Sequence, residues 1–252
     1  MAKRKAKPES LSPSARAPKS GPDSAVGMVE VAWGQLETWC RDHVPDLLDV
    51  LNPGASAAEI ATLERAIGRP WPADVRSSLA IHNGQAGRQI GASFVFGLEL
   101  LDTQQIAHYW ELWAGMTDYN AEYREDITSV PTGVIQPDYA NPGWIPLTKA
   151  ASASHLAADL APGPTGSAGQ IINFGRDEWE KWVLAASWGE FLHSYAKFLE
   201  SDDFRVIYPE VDSWNVNFEP VFRFVSDEGR ASTRHGYAAL IDWRKQGYWP
   251  LR

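Results

Sequence analysis

The chain has 252 residues, of which 44% are hydrophobic and 22% charged, a composition typical of a globular protein with one core and extensions or with two small domains. Its formal net charge of −9 is uneven: residues 1–26 carry six basic and two acidic side chains, which leaves the remainder at −13. An acidic body repels nucleic acid and attracts basic proteins, so direct nucleic-acid binding is not expected, although acidity can also serve solubility alone.

Cysteine content and hydropathy bear on the cellular compartment. Cys40 is the one cysteine, which excludes an intramolecular disulfide framework and a multi-cysteine zinc site. No run of about 18 apolar residues predicts a membrane span. The basic N-terminus is not followed by the apolar stretch of a secretory signal. These features together favour the cytoplasm.

The N-terminal third is predicted to be a tail followed by helices. Residues 1–28 have little apolar surface to bury, which predicts a disordered basic tail. A helix is predicted from about Val29 to His43, with Trp33, Leu36 and Cys40 on one apolar face. The spacing of these apolar residues predicts that this face is buried.

Two shorter helices are predicted next. Ser56 and Glu59 fit a capping box at the start of the first, and Gly68 fits the left-handed residue that ends it. The second is predicted over residues 73–81 and is ended by the His82-Asn83-Gly84 sequence.

The middle of the chain changes from helix to strand. Residues 93–96 are β-like, and a long helix is predicted from Asp102 or Thr103 to about Asp126, with a kink or partial exposure at 117–120. Ser187 and Glu190 fit a second capping box before a closing helix. Short strands separated by turn residues are predicted at 134–135, 144–147, 155–158, 170–174 and 181–184. Helices first, then a sheet, then a helix indicate the α+β class.

Two blocks of sequence in this order carry a family resemblance. The first contains Leu-Asn-Pro-Gly-Ala-Ser at 51–56, Glu-Ile at 59–60, Leu-Glu at 63–64, Ile-Gly at 67–68, Pro-Ala-Asp at 72–74 and His-Asn-Gly-Gln at 82–85. The second contains Trp-Ile-Pro-Leu at 144–147, Asp-Leu-Ala-Pro-Gly-Pro at 159–164 and Gly-Gln-Ile-Ile at 169–172. Together they resemble the SUKH superfamily, in the Knr/Smi-like branch named for a yeast cell-wall assembly regulator.

The resemblance implies a fold and two possible roles. It covers residues 29–201 and implies N-terminal helices and a closing helix packed on a bent, mostly antiparallel sheet. Residues 202–252 fall outside it and form an aromatic-rich extension of unknown role. Bacterial members are mostly inferred to be immunity proteins that neutralise toxins, whereas the fungal relative is a regulatory hub. Neither role needs a catalytic residue.

Motifs for enzyme chemistry are missing from the sequence. It contains no glycine-rich dinucleotide or phosphate loop, since Gly163, Gly166 and Gly169 lack a following Lys-Ser/Thr and fit a turn better. None of the histidines has the i, i+4 partner of a helical zinc protease. We therefore predict no catalytic residue, no cofactor and no metal site.

The resulting hypothesis is a non-catalytic protein-binding domain of the immunity type, whose partner is a basic toxin such as a nuclease. A regulatory scaffold linked to cell-wall assembly is the alternative, and an unrecognised enzyme the second alternative. The predicted partner-binding residues, chosen for residue type and for expected loop or helix-edge positions, are Trp113, Trp144, Asp159, Asp177, Glu178 and Trp179. Burial of the tryptophans in the core, and a local turn hydrogen bond for Asp159, are the competing interpretations.

Overall fold

A computed structural model describes residues 22–86, 94–150, 152–201, 204–207, 221–224, 236–247 and 249. The helices are α1 (Pro22–His43), α2 (Ala57–Ile67), α3 (Ala73–Ile81), α4 (Thr103–Ala114), α5 (Asn120–Tyr123), α6 (Trp188–Leu199) and α7 (Gly236–Gln246). The strands are β1 (Glu99–Leu100), β2 (Thr128–Val130), β3 (Trp144–Pro146), β4 (Thr148–Lys149), β5 (Ser154–Asp159), β6 (Gln170–Gly175), β7 (Glu180–Ala185), β8 (Phe204–Ile207) and β9 (Val221–Phe224). Within these ranges, no helix combines the length and the apolar character needed to cross a membrane.

Helix α1 begins earlier than the sequence predicts and packs against α3 and α6. It begins at Pro22 rather than Val29, so the last part of the segment predicted as a disordered tail is helical. The added turns pack closely against α6. A Cβ atom at Gly189 of α6 would lie only 2.8 Å from the Ala25 carbonyl oxygen. The predicted apolar face is confirmed, since Trp33, Leu36 and Cys40 are all buried.

The local signals for α2 and α3 are confirmed. The Ser56 amide donates to Glu59 Oε2 at 2.8 Å, and the Glu59 amide donates to Ser56 Oγ, which completes the capping box. Gly68 ends α2 in the left-handed region at φ 72°. Helix α3 has the predicted bounds.

The segment before α4 differs from the predicted strand. Of the four residues involved, 94–96 are described, and they lead into a tight turn in which Phe96 and Gly97 have φ 49° and 75°. Phe94, Val95 and Phe96 are all buried, so burial does not alternate along this segment as it does along a half-exposed strand. The predicted long helix also divides: α4 ends at Ala114, and a 3₁₀ turn over Thr117–Tyr119 leads into α5.

The main sheet has the strand order β2-β7-β6-β5-β3. All neighbours are antiparallel except β2 and β7, which are parallel. This confirms the α+β class with helices on a mostly antiparallel sheet. The prediction of a strand at 134–135 is wrong. The Val134 carbonyl accepts hydrogen bonds from the Gly163 amide and from the Gln170 side chain Nε2, and not from the backbone amides of a neighbouring strand. Strand β2 was not predicted.

Aromatic side chains organise the core between the helices and the sheet. The indoles of Trp33 and Trp188 both donate to Ser78 Oγ, at 3.0 and 2.9 Å, and the Tyr195 hydroxyl donates to the Phe94 carbonyl at 2.7 Å. These bonds satisfy buried polar groups that would otherwise be costly. They fix α1, α3 and α6 relative to one another.

The C-terminal extension contributes to this core. Trp249 is 2% exposed, contacts the rings of Phe96 and Phe191, and donates from its indole to the Leu184 carbonyl at 3.1 Å. Arg244 of α7 donates to the Val183 carbonyl at 2.7 Å. Helix α7 therefore lies along β7, and β8 pairs with β9 as a separate antiparallel hairpin.

Candidate docking surface

Four aromatic side chains meet at the surface near the start of β7. They are Tyr119, Tyr123, Tyr139 and Trp179, and we call them the aromatic patch. Their ring centroids lie between 5.2 and 6.2 Å apart in the pairs that touch. Tyr119 is 48% and Trp179 40% exposed, both high for large hydrophobic side chains. Clustered exposed aromatic residues are typical of recognition surfaces.

The break after α4 places two of these rings. Asn120 begins α5 and holds the neighbouring loop through a pair of hydrogen bonds with Ala140, from Asn120 Nδ2 to the carbonyl at 2.8 Å and from the amide to Asn120 Oδ1 at 2.9 Å. Arg124 binds Asp138 at 2.9 Å. The loop that carries Tyr139 is thus fastened to the segment that carries Tyr119 and Tyr123.

The turn between β6 and β7 places the remaining ring. Glu178 Oε1 accepts from Ser154 Oγ, and Oε2 accepts from Asn173 Nδ2, both at 2.8 Å. With both carboxylate oxygens occupied, Glu178 orders the turn rather than facing outward. The Thr128 amide donates to the Trp179 carbonyl at 2.9 Å, which ties the turn to β2. Trp179 is therefore presented on a fixed backbone.

A buried layer supports the patch from below. The Trp113 ring lies 5.8 Å from Tyr139 and 5.2 Å from Phe174, and its indole donates to His155 Nε2 at 3.1 Å. With Nε2 as the acceptor, His155 Nδ1–H donates to the Thr148 carbonyl at 2.8 Å. Burial lowers the pKa of His155 to about 4. The imidazole is therefore neutral at physiological pH, with both nitrogens occupied.

A buried lysine lies in the same layer. Lys181 is 0% exposed, its Nζ donates to the Glu178 carbonyl at 3.2 Å, and it lies 4.9 Å from the Trp144 ring centroid. Burial lowers the pKa of Lys181 to about 8, while the charges of Glu178 and Asp138 act against this shift. The lysine stiffens the start of β7 and does not reach solvent.

Carboxylates surround the exposed rings. Asp118, Glu122, Glu125 and Asp126 are exposed on the segment that bears Tyr119 and Tyr123. In the described part of the chain, no ion pair joins any of them to a basic side chain. A hydrogen bond to Glu122 raises the pKa of Tyr123, and burial together with the Asp177 carboxylate raises that of Tyr139. The surface therefore combines exposed aromatic rings with exposed carboxylates on the segment that bears two of them.

Half of the predicted partner-binding residues belong to this surface. Trp179 is exposed within the patch, Asp177 is exposed beside it and paired with Arg176 at 2.9 Å, and Glu178 is half-buried in the turn. They remain candidates. The three tyrosines were missed. The signal for Tyr119 and Tyr123 was the acidic stretch at 117–126, which interrupts an otherwise apolar helical stripe. Tyr139 lies outside this stretch, and no pattern in the sequence singled it out.

The expected exposure of the other three residues is wrong. Trp113 and Trp144 are 6% and 1% exposed, because each fills the space between the sheet and its covering elements. Asp159 is 0% exposed; its Oδ1 accepts from the Ala161 amide and its Oδ2 from Gln170 Nε2, both at 2.9 Å. Burial raises the pKa of Asp159 to about 6. The local turn interpretation is therefore the correct one for Asp159.

Among the described residues, no group of three or more His, Cys, Asp or Glu is arranged to hold a metal ion. Burial raises the pKa of Cys40 to about 12, which keeps the thiol protonated. A layered α+β domain with an exposed aromatic cluster has the features of a protein-interaction module.

Sequence comparison assigns the chain to a family. A model of the SMI1/KNR4 family (SUKH-1) matches residues 54–194. The chain therefore belongs to the SMI1/KNR4 family, and the resemblance found in the sequence is confirmed. Helices α1 and α7 lie outside the matched range but pack onto it.

Several curated fungal proteins are similar to this chain. The cell wall biosynthesis/cell cycle regulator smi1 of Schizosaccharomyces pombe is 36% identical over 218 residues, covering 78% of this chain and 43% of the relative. The glucan synthesis regulatory protein of Neurospora crassa is 33% identical, covering 69% and 38%. The cell wall assembly regulator SMI1 of Saccharomyces cerevisiae is 30% identical, covering 82% and 47%. The chain thus spans less than half the length of each of these relatives.

Proposed function

We propose that this chain is a non-catalytic regulatory domain that binds a protein partner through the aromatic patch and acts in the control of cell-wall assembly. The observation that carries the proposal is the exposed, rigidly supported ring cluster of Tyr119, Tyr123, Tyr139 and Trp179 in a member of this family. The printed names of the similar proteins support the regulatory part, since they describe regulators of cell wall or glucan synthesis.

The regulatory role now comes before the immunity-type role, which was the first hypothesis from the sequence. The relatives that match the chain are fungal and are named as regulators, so their names favour the regulatory alternative over the immunity-type hypothesis. A basic partner remains part of the proposal because of the acidic surroundings of the patch. The cytoplasm remains the proposed compartment, consistent with a single buried cysteine.

A chimera in Schizosaccharomyces pombe tests the proposal. The segment of the smi1 regulator that matches this chain is replaced by this chain, and resistance of the cells to cell-wall digestion by a β-glucanase is measured. We expect cells without the regulator to lose resistance and the chimera to restore it. The double variant Tyr119→Ala/Trp179→Ala should abolish this restoration while the protein level stays normal.

The control variant removes an exposed apolar side chain that lies on α1, outside the aromatic patch. Val31 on α1 is 57% exposed, so Val31→Ala should restore resistance as well as the unaltered chimera does. Normal resistance with the double patch variant would refute the use of this surface. Failure of the unaltered chimera, at normal abundance, would refute the regulatory role.

A further inference from the structure

We propose that the aromatic patch binds an arginine-bearing segment of the partner, with guanidinium groups lying on the outer faces of Tyr119 and Trp179. This inference rests on the proposed function and specifies the chemistry of the partner. Two independent features of the patch support arginine as the ligand: the packing of its rings, which concerns shape, and the nearby charges, which concern electrostatics.

The packing of the rings decides which cation fits. Tyr123 lies 5.4 Å from Trp179 and 5.2 Å from Tyr139, so the rings already contact one another. Rings this close leave no cage between them for a compact ammonium group. A cation must therefore lie on the exposed outer faces, where a planar guanidinium stacks well and is weakly hydrated. This geometry favours arginine over lysine.

The charged side chains beside the patch determine which charge the bound segment must carry. Among the described residues, Arg124 and Arg176 are basic side chains close to the patch, and they are already bound to Asp138 and Asp177 at 2.9 Å. The exposed carboxylates of Asp118, Glu122, Glu125 and Asp126 are left to face solvent. An incoming basic segment therefore finds, next to the aromatic patch, negative charge that no basic side chain of the described residues pairs, which favours it over neutral or acidic segments.

The test uses the full chain and two short fluorescein-labelled peptides, one alternating arginine with glycine and one alternating lysine with glycine. Binding is followed by fluorescence anisotropy at physiological salt. We expect the arginine peptide to bind about tenfold more tightly than the lysine peptide, because only guanidinium stacks on the rings. Trp179→Ala should weaken binding of the arginine peptide by about tenfold and that of the lysine peptide much less.

Two charge-matched variants separate local recognition from net charge. Asp118→Asn/Glu125→Gln removes carboxylates beside the patch, whereas Glu30→Gln/Asp42→Asn removes the same residue types from the exposed surface of α1. We expect the first pair to weaken binding several-fold and the second to change it by less than about twofold. Equal affinities for both peptides, or equal effects of both pairs, would mean that only diffuse charge attracts the peptide, and the inference would fail.

Two further measurements test two other occupants of the patch, the chain's own basic residues and a second copy of the chain. Replacing Lys3, Arg4, Lys5 and Lys7 of the full chain by glutamine should leave peptide affinity unchanged; a marked increase would identify the chain's own basic residues as the occupant. Sedimentation velocity should show a monomer; a dimer lost in Trp179→Ala would identify a second copy. Either result overturns the inference.

The outcome also separates this inference from the proposed function. If the chimera restores resistance through the patch but the arginine peptide does not bind, the inference fails and the regulatory role stands. If the chimera fails as well, both fail. Peptide binding without restoration supports the inference alone.

Discussion

Buried ionisable residues control how this domain responds to pH. His155 supports Trp113 and is neutral, with its pKa lowered to about 4 by burial. Because the unfolded chain takes up this proton near pH 6.5, it binds more protons than the native state between pH 4 and 6.5, and stability falls on acidification. Asp159, whose pKa burial raises to about 6, has the opposite effect: the native state binds more protons, and stability rises on acidification.

Because these effects oppose each other, the pH dependence of the unfolding free energy should become visible only when one of them is removed. Each shift corresponds to about 3 kcal/mol, so they nearly cancel between pH 6.5 and 4. Asp159→Asn removes one of them, and we expect this variant to lose about 3 kcal/mol more unfolding free energy than the unaltered protein over that range. Urea unfolding followed by tryptophan fluorescence at several pH values measures the difference. The exposed Asp177→Asn should follow the unaltered protein; parallel curves for Asp159→Asn would show that the buried carboxyl does not titrate as argued.

At the level of helices and strands, the sequence was informative where a local rule sets the structure. The capping box of α2, the Ser187 N-cap of α6 and the bounds of α3 follow from hydrogen bonds and apolar spacing within a few residues. The predicted capping box of α6 is only half formed, because Glu190 Oε2 accepts from the Ala186 amide rather than from the Ser187 amide. The break after α4 and the loss of the strand at 134–135 depend instead on distant partners, such as Gly163 at the Val134 carbonyl. The burial of Trp113 and Trp144 also depends on distant partners. Residue type alone does not distinguish a core tryptophan from an exposed one.

The C-terminal extension offers a test at the same scale. We propose that the folded unit includes α1 and α7 as well as the matched residues 54–194. Trp249→Ala removes a 2% exposed ring that contacts Phe96 and Phe191, and we expect a loss of about 3–5 kcal/mol of unfolding free energy. Trp179→Ala, which removes a 40% exposed ring, should cost less than about 1 kcal/mol. Similar losses in the two variants would show that the extension does not complete the core.

For the whole molecule, charge and shape are expected to act on different steps of binding. The chain carries a net charge of −9, and exposed carboxylates lie on the segment that bears Tyr119 and Tyr123, so attraction of a basic segment begins before contact. Such steering raises the association rate and weakens with salt, because the Debye length falls to about 8 Å at physiological ionic strength. Ring stacking acts only after contact and therefore governs dissociation.

Stopped-flow measurements with the arginine peptide should separate these two contributions. Asp118→Asn/Glu125→Gln should slow association several-fold and flatten its dependence on salt, because it removes charge that acts at a distance. Trp179→Ala should leave association within about twofold and speed dissociation about tenfold, because the ring contributes only once the guanidinium has stacked. If Trp179→Ala instead slows association and leaves dissociation unchanged, the ring does not hold the bound peptide, and the patch would act only as part of a diffusely acidic surface.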